Sequence, residues 1–235
     1  PVGGMGQRPN AQGYDLNRDH MKLDSPEARS LVQLIHEYNP HVLIDLHTTN
    51  GTIHGYHLTY SPPLNPNTAK PIIDLLRNEW LPEVSKRIKA TYDWDFYYYG
   101  NVPRLGGTRE RGWYTFDHRP RFNNNYLGLR NRIAILSEAY SYATFEDRIL
   151  ATLYFVEENI NYAYEHASAI QQLIEDTDLQ TIVGQSLAVR STHKRSREPV
   201  TILMGDAVEE RNPYTGRIML RRQETRKPEQ MYAFG

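Results

Sequence analysis

Two short apolar runs, each ending in a residue that can do chemistry, constrain this chain more than anything else in it. The first, His41-Val-Leu-Ile-Asp-Leu46, follows Pro40 and passes directly into His47-Thr-Thr-Asn-Gly51. A run of that length bounded by a breaker reads as a buried strand. Ahead of it, Ser25-Pro26-Glu27 is a helix start: Ser as N-cap, Pro at the first helical position, and an acid near the positive end of the dipole. Leu31, Leu34 and Ile35 form one face of that helix, which should stop near Asn39-Pro40. A helix followed by a strand is the unit of a parallel sheet. Ligands in open α/β sheets sit beyond the carboxyl ends of strands, so His47 stands where a site would be built. The second run, Ile133-Ala-Ile-Leu-Ser-Glu138, ends in a carboxylate in the same way.

The rest of the chain arranges itself around these runs. Residues 1 to 24 form a polar, irregular segment. Residues 52 to 60 alternate enough to be extended, and the breaker-rich stretch 61 to 67 is a loop. From Thr68 to about Tyr92 the pattern is helical, with Ile72, Leu75, Leu76 and Trp80 on one face and a kink at Pro82. Residues 93 to 125 are aromatic and Gly-rich, and a loop of that length is functional or disordered; its rings argue for function. Thr144-Phe-Glu-Asp147 is a capping box opening a long helix to about residue 177, broken once. After Asp178 come short alternating runs, Ser186 to Arg190, Val200 to Met204 and Arg217 to Leu220. The expectation is a mixed, mainly parallel α/β sheet with helices on both faces over residues 1–177, and an incomplete β-rich accessory segment over 178–235.

Composition excludes several classes. A formal net charge of −1 gives no electrostatic reason to expect nucleic acid or an anionic membrane as main partner. No run of about 18 apolar residues exists to span a bilayer. With no cysteine, disulfides and thiolate ligands are excluded, so any metal must be held by His, Asp or Glu. The 17 tyrosines suit a groove that stacks and hydrogen-bonds. The opening Pro1-Val-Gly-Gly-Met-Gly reads as mid-loop, so the expectation is a processed or truncated piece whose missing part could have held a signal peptide.

Hydrolysis of an amide at neutral pH needs a nucleophile, a general base and an oxyanion stabiliser. A zinc-bound water beside a carboxylate meets the first two, and arginines can meet the third. The segment Arg8-Pro-Asn-Ala-Gln-Gly-Tyr-Asp-Leu-Asn-Arg-Asp19, then Ile-Asp-Leu-His-Thr-Thr-Asn-Gly51, then Leu-Ser-Glu-Ala-Tyr140, resembles the zinc carboxypeptidase family (carboxypeptidase A-like metallopeptidases, M14), and most of all its bacterial members. The resemblance covers roughly residues 1 to 170 and rests on three motifs in the right order and spacing.

The resemblance implies a zinc-dependent metallocarboxypeptidase fold and activity, acting on a peptide or peptide-like substrate with a free C-terminal carboxylate, with residues 1–177 as the C-terminal portion of the catalytic domain. His47 matches the family's third zinc ligand, and Asp15 the acid that steadies another ligand histidine. Asn17 and Arg18 match the pair that receives the terminal carboxylate. Glu138 matches the catalytic glutamate, general base and then acid. Arg8 is the candidate to polarise the scissile carbonyl. Tyr114, with Tyr126 as runner-up, is the candidate for the tyrosine that covers bound substrate. The family's other two zinc ligands come from a His-x-x-Glu motif, and none of the nine histidines here has Glu three residues later. The motif is expected upstream of Pro1, so this piece alone should be inactive and should bind Zn2+ weakly if at all. A secreted or periplasmic location is favoured by the family.

Other readings compete. The same scaffold serves amidohydrolases, deacylases and cell-wall peptide hydrolases, and a relative with a decayed metal site would be a non-catalytic peptide or glycan binder. His54 and His57 are expected to line a groove rather than ligate. Asp117, His118 and the arginines at 119, 121, 130 and 132 read as an ion-paired set. Lys194-Arg-Ser-Arg197 is an exposed turn.

Overall fold

The computed structural model describes residues 8–49, 51–104 and 106–235. Helix α1 (Pro26–Tyr38) begins where its capping residues place it: the Ser25 hydroxyl accepts the Ala28 N–H at 3.2 Å, with Pro26 at the first position. It stops because Asn39 turns into left-handed backbone (φ 44°) and returns its N–H to the Ile35 carbonyl. The chain then enters β1 (Val42–Thr48). The other strands of the body are β2 (Leu58–Ser61), β3 (Phe96–Tyr98), β4 (Trp113–Tyr114) and β5 (Ile133–Ala139).

Four of these make one sheet in the order β1-β5-β2-β3. The β1–β5 and β2–β3 pairs are parallel and β5–β2 is antiparallel. Among the described residues β1 has β5 as its sole strand neighbour, so it is an edge, and Leu46 is 51% exposed. This corrects the reading of a buried strand. An apolar run reports that a face is covered; it carries no information on whether a second strand lies alongside.

The helical stretch expected to kink at Pro82 is α2 (Lys70–Leu75) and α3 (Leu81–Tyr92), joined by a π-helical turn over Leu76–Trp80. Proline has no N–H to return to the preceding turn, and a widened turn just ahead of it absorbs the mismatch. After α4 (Asn123–Gly128), α5 (Phe145–Glu165) opens on a true capping box: the Thr144 hydroxyl accepts the Asp147 N–H at 3.0 Å and the Asp147 carboxylate accepts the Thr144 N–H. The expected single break falls at His166, and α6 (Ala167–Asp178) follows.

Strand parity on β5 separates two faces. Ile133 and Ile135 join Val84 and Ile88 of α3 and Phe155 of α5 in the main core. Ala134, one residue out of phase, joins Ile35 of α1 and Leu127 of α4. Trp80, at the end of the π-helical turn, is fully buried against α5, where it stacks on Tyr162 and donates its indole N–H to Asn159 Oδ1 at 2.8 Å, so the largest core side chain leaves no orphaned donor.

The C-terminal stretch holds β6 (Val200–Met204), β7 (Ala207–Arg211), β8 (Ile218–Arg222), β9 (Lys227–Met231) and β10 (Ala233–Phe234). β6 pairs with β9 and β7 with β8, both antiparallel, while β10 lies parallel to β4. Ile202 and Met231 are buried with Tyr56 and Trp113, and the Gly55 N–H donates to the Leu203 carbonyl at 2.8 Å. The approach is close enough that a Cβ on Gly205 would stand 2.6 Å from the His54 carbonyl oxygen. Residues 186–190, read as a strand, form none: Val189 is 93% exposed, and alternation without a surface to cover does not hold a strand.

Candidate active site

The parallel register of β1 and β5 sets His47 beside Glu138 and Asp45 beside Leu136. Side chains alternate along a strand, so Asp45, His47, Leu136 and Glu138 all point to one face, the face that Ala134 shares with α1 and α4. Two acid–base groups ninety-one positions apart in sequence thus become neighbours through strand pairing alone.

The polar N-terminal segment closes over them. Asp15 caps a 3-10 turn, Leu16–Arg18, by accepting the Asn17 N–H at 3.1 Å, and its other oxygen accepts from Arg8 Nε at 2.7 Å. The buried Asp19 carboxylate accepts the backbone N–H of Asp24 at 3.0 Å and of Ser25 at 2.8 Å, and the Ser25 hydroxyl at 2.6 Å. One acid therefore fastens the polar turn to the start of α1. The result is a cavity of about 160 Å³ lined by Arg8, Asn17, Arg18, Asp45, His47 and Glu138, with Thr48, Tyr99, Phe116, Phe122, Asn124 and Leu136 completing its walls.

Burial dominates its electrostatics. It pushes the Glu138 carboxyl up to about 7, with His47 opposing and Asp45 reinforcing the shift. Burial would lower His47, but the Asp45 and Glu138 carboxylates more than offset it and its pKa is raised. His47 Nε2 lies 3.0 Å from Asp45 Oδ1 without the alignment of a hydrogen bond, and no other group among the described residues satisfies it. Arg18 sits over the Phe122 ring at 4.4 Å and donates from Nη1 to the Asn17 carbonyl at 2.6 Å. Burial lowers its pKa, though a guanidinium starts so high that it stays charged. Among the described residues it has no carboxylate partner within 4.0 Å, which leaves a cation aimed into a cavity without its counterion.

A catalytic zinc site takes three protein donors. His47, with its orphaned nitrogen, is one. Among the described residues no three His, Cys, Asp or Glu side chains are grouped to hold a metal ion. The donors present therefore do not fit a zinc site by themselves.

The structure brings Arg8, Asn17, Arg18, His47 and Glu138 together, with Asp15 beneath them as the partner of Arg8. It does not bring in Tyr114 or Tyr126. The Tyr114 ring is stacked on Phe234 at 4.1 Å and lines the neighbouring hollow, and Tyr126 is turned by α4 into the cluster of Ile35, Leu127 and Ala134. His54 and His57, expected in a groove, are both buried away from this cavity: His54 lies 4.3 Å from the Tyr140 ring, and His57, stacked on Trp94 at 4.5 Å, lines a separate hollow of about 180 Å³. The Asp117 set is ion-paired, with Arg119 and Arg121 both on its carboxylate. Sequence reasoning passed over Asp45, although it lies two residues before His47 and so shares its face. The sequence also gives no sign of Tyr99, Phe116, Phe122 and Asn124 as cavity walls, although all lie inside the long aromatic loop expected to be functional.

No protein-family model and no curated protein matches the chain. Among solved structures it is similar to a metallo-carboxypeptidase from Pseudomonas aeruginosa, in complex with (2-guanidinoethylmercapto)succinic acid, at 14% sequence identity and a TM-score of 0.46, over 67% of this chain and 41% of that one. The chain thus spans about two fifths of the length of that structure. No helix among the described residues is long and apolar enough to cross a membrane.

Proposed function

We propose that this chain carries the C-terminal portion of the catalytic domain of a metallocarboxypeptidase that hydrolyses C-terminal peptide bonds. The observation that carries the reading is the pairing of His47 with Glu138 at the carboxyl ends of parallel strands, in one small cavity with Arg18, Asn17 and Arg8. A carboxyl group whose pKa is about 7 is poised to take a proton from attacking water and to return it to the leaving amine at neutral pH. Arg18 offers a planar fork for the substrate's terminal carboxylate, with the Asn17 amide beside it. Arg8, held by Asp15, is within the same cavity to stabilise negative charge developing on the scissile carbonyl. Asp45 holds the His47 ring in a carboxylate field. In this reading His47 is this chain's contribution to a zinc site whose other two donors are the His-x-x-Glu pair expected ahead of Pro1.

The test is Glu138→Gln in a protein that carries this chain together with a His-x-x-Glu segment. Turnover of a simple peptide should fall by about a thousandfold or more, the scale of losing a principal acid–base group together with its charge, while metal content stays the same. Peptidase activity that survives with metal still bound would overturn the assignment. Presenting N-acyl amino acids beside peptides separates the deacylase alternative in the same assay.

A further inference from the structure

We infer that the substrate of this site is an acidic peptide, carrying further carboxylates beyond its terminal one, received in an arginine-lined groove beside the cavity. The inference rests on the peptidase reading for what happens at the end of the groove, and on charge and shape for the groove itself.

Two hollows share walls with the cavity. One, of about 480 Å³, shares Tyr99 and Phe116 with it; the other, of about 930 Å³, shares Phe116 with both. Arg104 and Arg109 line the first and Arg77 and Arg190 the second. None of these four has a carboxylate within 4.0 Å among the described residues; Arg77 and Arg109 instead lie near the rings of Tyr98 and Tyr114. Lys70 and Arg119 also line the larger hollow, but Asp74 and Asp117 neutralise them. Asp117, already shared by Arg119 and Arg121, is the one side-chain carboxylate on the walls of either hollow among the described residues.

A chain of formal charge −1 thus places four guanidinium groups without carboxylate partners among the described residues on two hollows that share wall residues with its candidate site. Unpaired cationic groups along a hollow raise its local potential, which concentrates anionic ligands and repels cationic ones in a salt-dependent way. The alternative polyanion, single-stranded nucleic acid, needs open ring faces for base stacking. The rings here are engaged: Tyr114 is stacked on Phe234 at 4.1 Å, and Phe116 is held edge-on to Tyr99 at 5.6 Å and to Phe122 at 5.1 Å. Acidic peptide is therefore the occupant the chemistry selects.

The experiment is fluorescence anisotropy on the whole chain with three labelled probes: a hexaglutamate, a hexaglutamine and a hexathymidylate. Hexaglutamate should bind at least about tenfold tighter than hexaglutamine at low salt, and the margin should shrink as salt rises. The double variants Arg104→Ala/Arg109→Ala and Arg77→Ala/Arg190→Ala should each cut that margin by about threefold to tenfold. Arg211→Ala/Arg217→Ala, on the exposed β7–β8 hairpin, should leave it intact, and thermal melts confirm that each variant is folded. Equal binding of the two peptides, a margin untouched by the groove variants, or tighter binding of hexathymidylate would each overturn the proposal. Turnover is read in the Glu138→Gln assay and groove binding in the anisotropy, so failure of the peptidase reading in its own assay leaves the binding result standing.

Discussion

Replacing His57 with asparagine should destabilise the chain at alkaline pH and stabilise it at acid pH, so that the two stability curves cross. His57 is buried, its ring lies flat on Trp94 with centroids 4.5 Å apart, and its Nδ1 accepts the Asp95 N–H at 3.2 Å. Burial, with Arg222 and Arg226 adding positive charge nearby, pulls its pKa from 6.5 to about 3. The folded chain then holds a neutral ring over a range in which the unfolded chain takes up a proton. Its contribution to stability is complete above the unfolded value and is lost as the pH falls from about 6.5 toward 3. Proton uptake by the unfolded chain is worth about 2 kcal/mol at about pH 5 and about 3 kcal/mol at about pH 4. Asparagine does not titrate and can still accept the Asp95 N–H, but it forfeits the ring's stacking and burial, about 1 to 2 kcal/mol. The curves should therefore cross between about pH 5 and about pH 6. His54, also held at about 3 by burial, has the same sign, and Glu138, raised to about 7, has the opposite sign; both are common to the two proteins and cancel in the difference. Urea unfolding followed by far-ultraviolet circular dichroism across this range measures it, with the slope checked for constancy. A difference that stays flat within about 0.5 kcal/mol from about pH 8 to about pH 4 would refute the reasoning, because it would mean that the ring titrates alike in both states.

Two further outcomes follow from single side chains. Arg18→Met should weaken binding of a peptide with a free terminal carboxylate by about 1.5 to 3 kcal/mol and leave binding of its C-terminal amide unchanged, a contrast that calorimetry with the paired ligands measures. Ile202→Ala should cost about 2 to 5 kcal/mol, because this fully buried side chain is part of the small cluster through which the C-terminal strands grip Tyr56 and Trp113; the midpoint of urea unfolding and faster proteolysis within residues 200–235 report it.

Local signals in the sequence mapped onto local structure wherever the physics was itself local. Ser25, Asn39, Thr144 and Asp147 fix helix ends through bonds to neighbours three or four residues away, and those ends fall where the residue types place them. The meeting of His47 with Glu138 was legible in part, since two apolar runs ending in polar residues imply two strand ends; that they are adjacent strands in register depends on pairing that no local pattern encodes. Tyr99 and Phe116 were not legible as cavity walls, because a loop of irregular backbone has no period from which a side chain's direction can be read. The burial of His54 and His57 was equally hidden. It depends on packing against Tyr140, more than eighty residues later in the chain, and on the Trp94 ring just past the end of α3.

The alternation along β5 also predicts that stability and recognition separate residue by residue. Ile135 is fully buried among α3 and α5, whereas Leu136, next in the chain, forms a wall of the candidate cavity two residues before Glu138. Ile135→Ala leaves a void in the close-packed core and should cost about 2 to 5 kcal/mol while leaving ligand preference unchanged. Leu136→Ala instead removes carbon from the side of a polar cavity that water can enter, so its stability cost should fall at or below the low end of that range. Its effect should be on fit: a space of about 160 Å³ becomes larger beside Glu138, and peptides ending in a bulky residue should gain on those ending in alanine. Calorimetric binding of the two peptide types and urea unfolding of the two variants give the four numbers needed. A shift in ligand preference from Ile135→Ala at unchanged stability, or none from Leu136→Ala, would mean that the cavity is not built on the face to which strand parity assigns it.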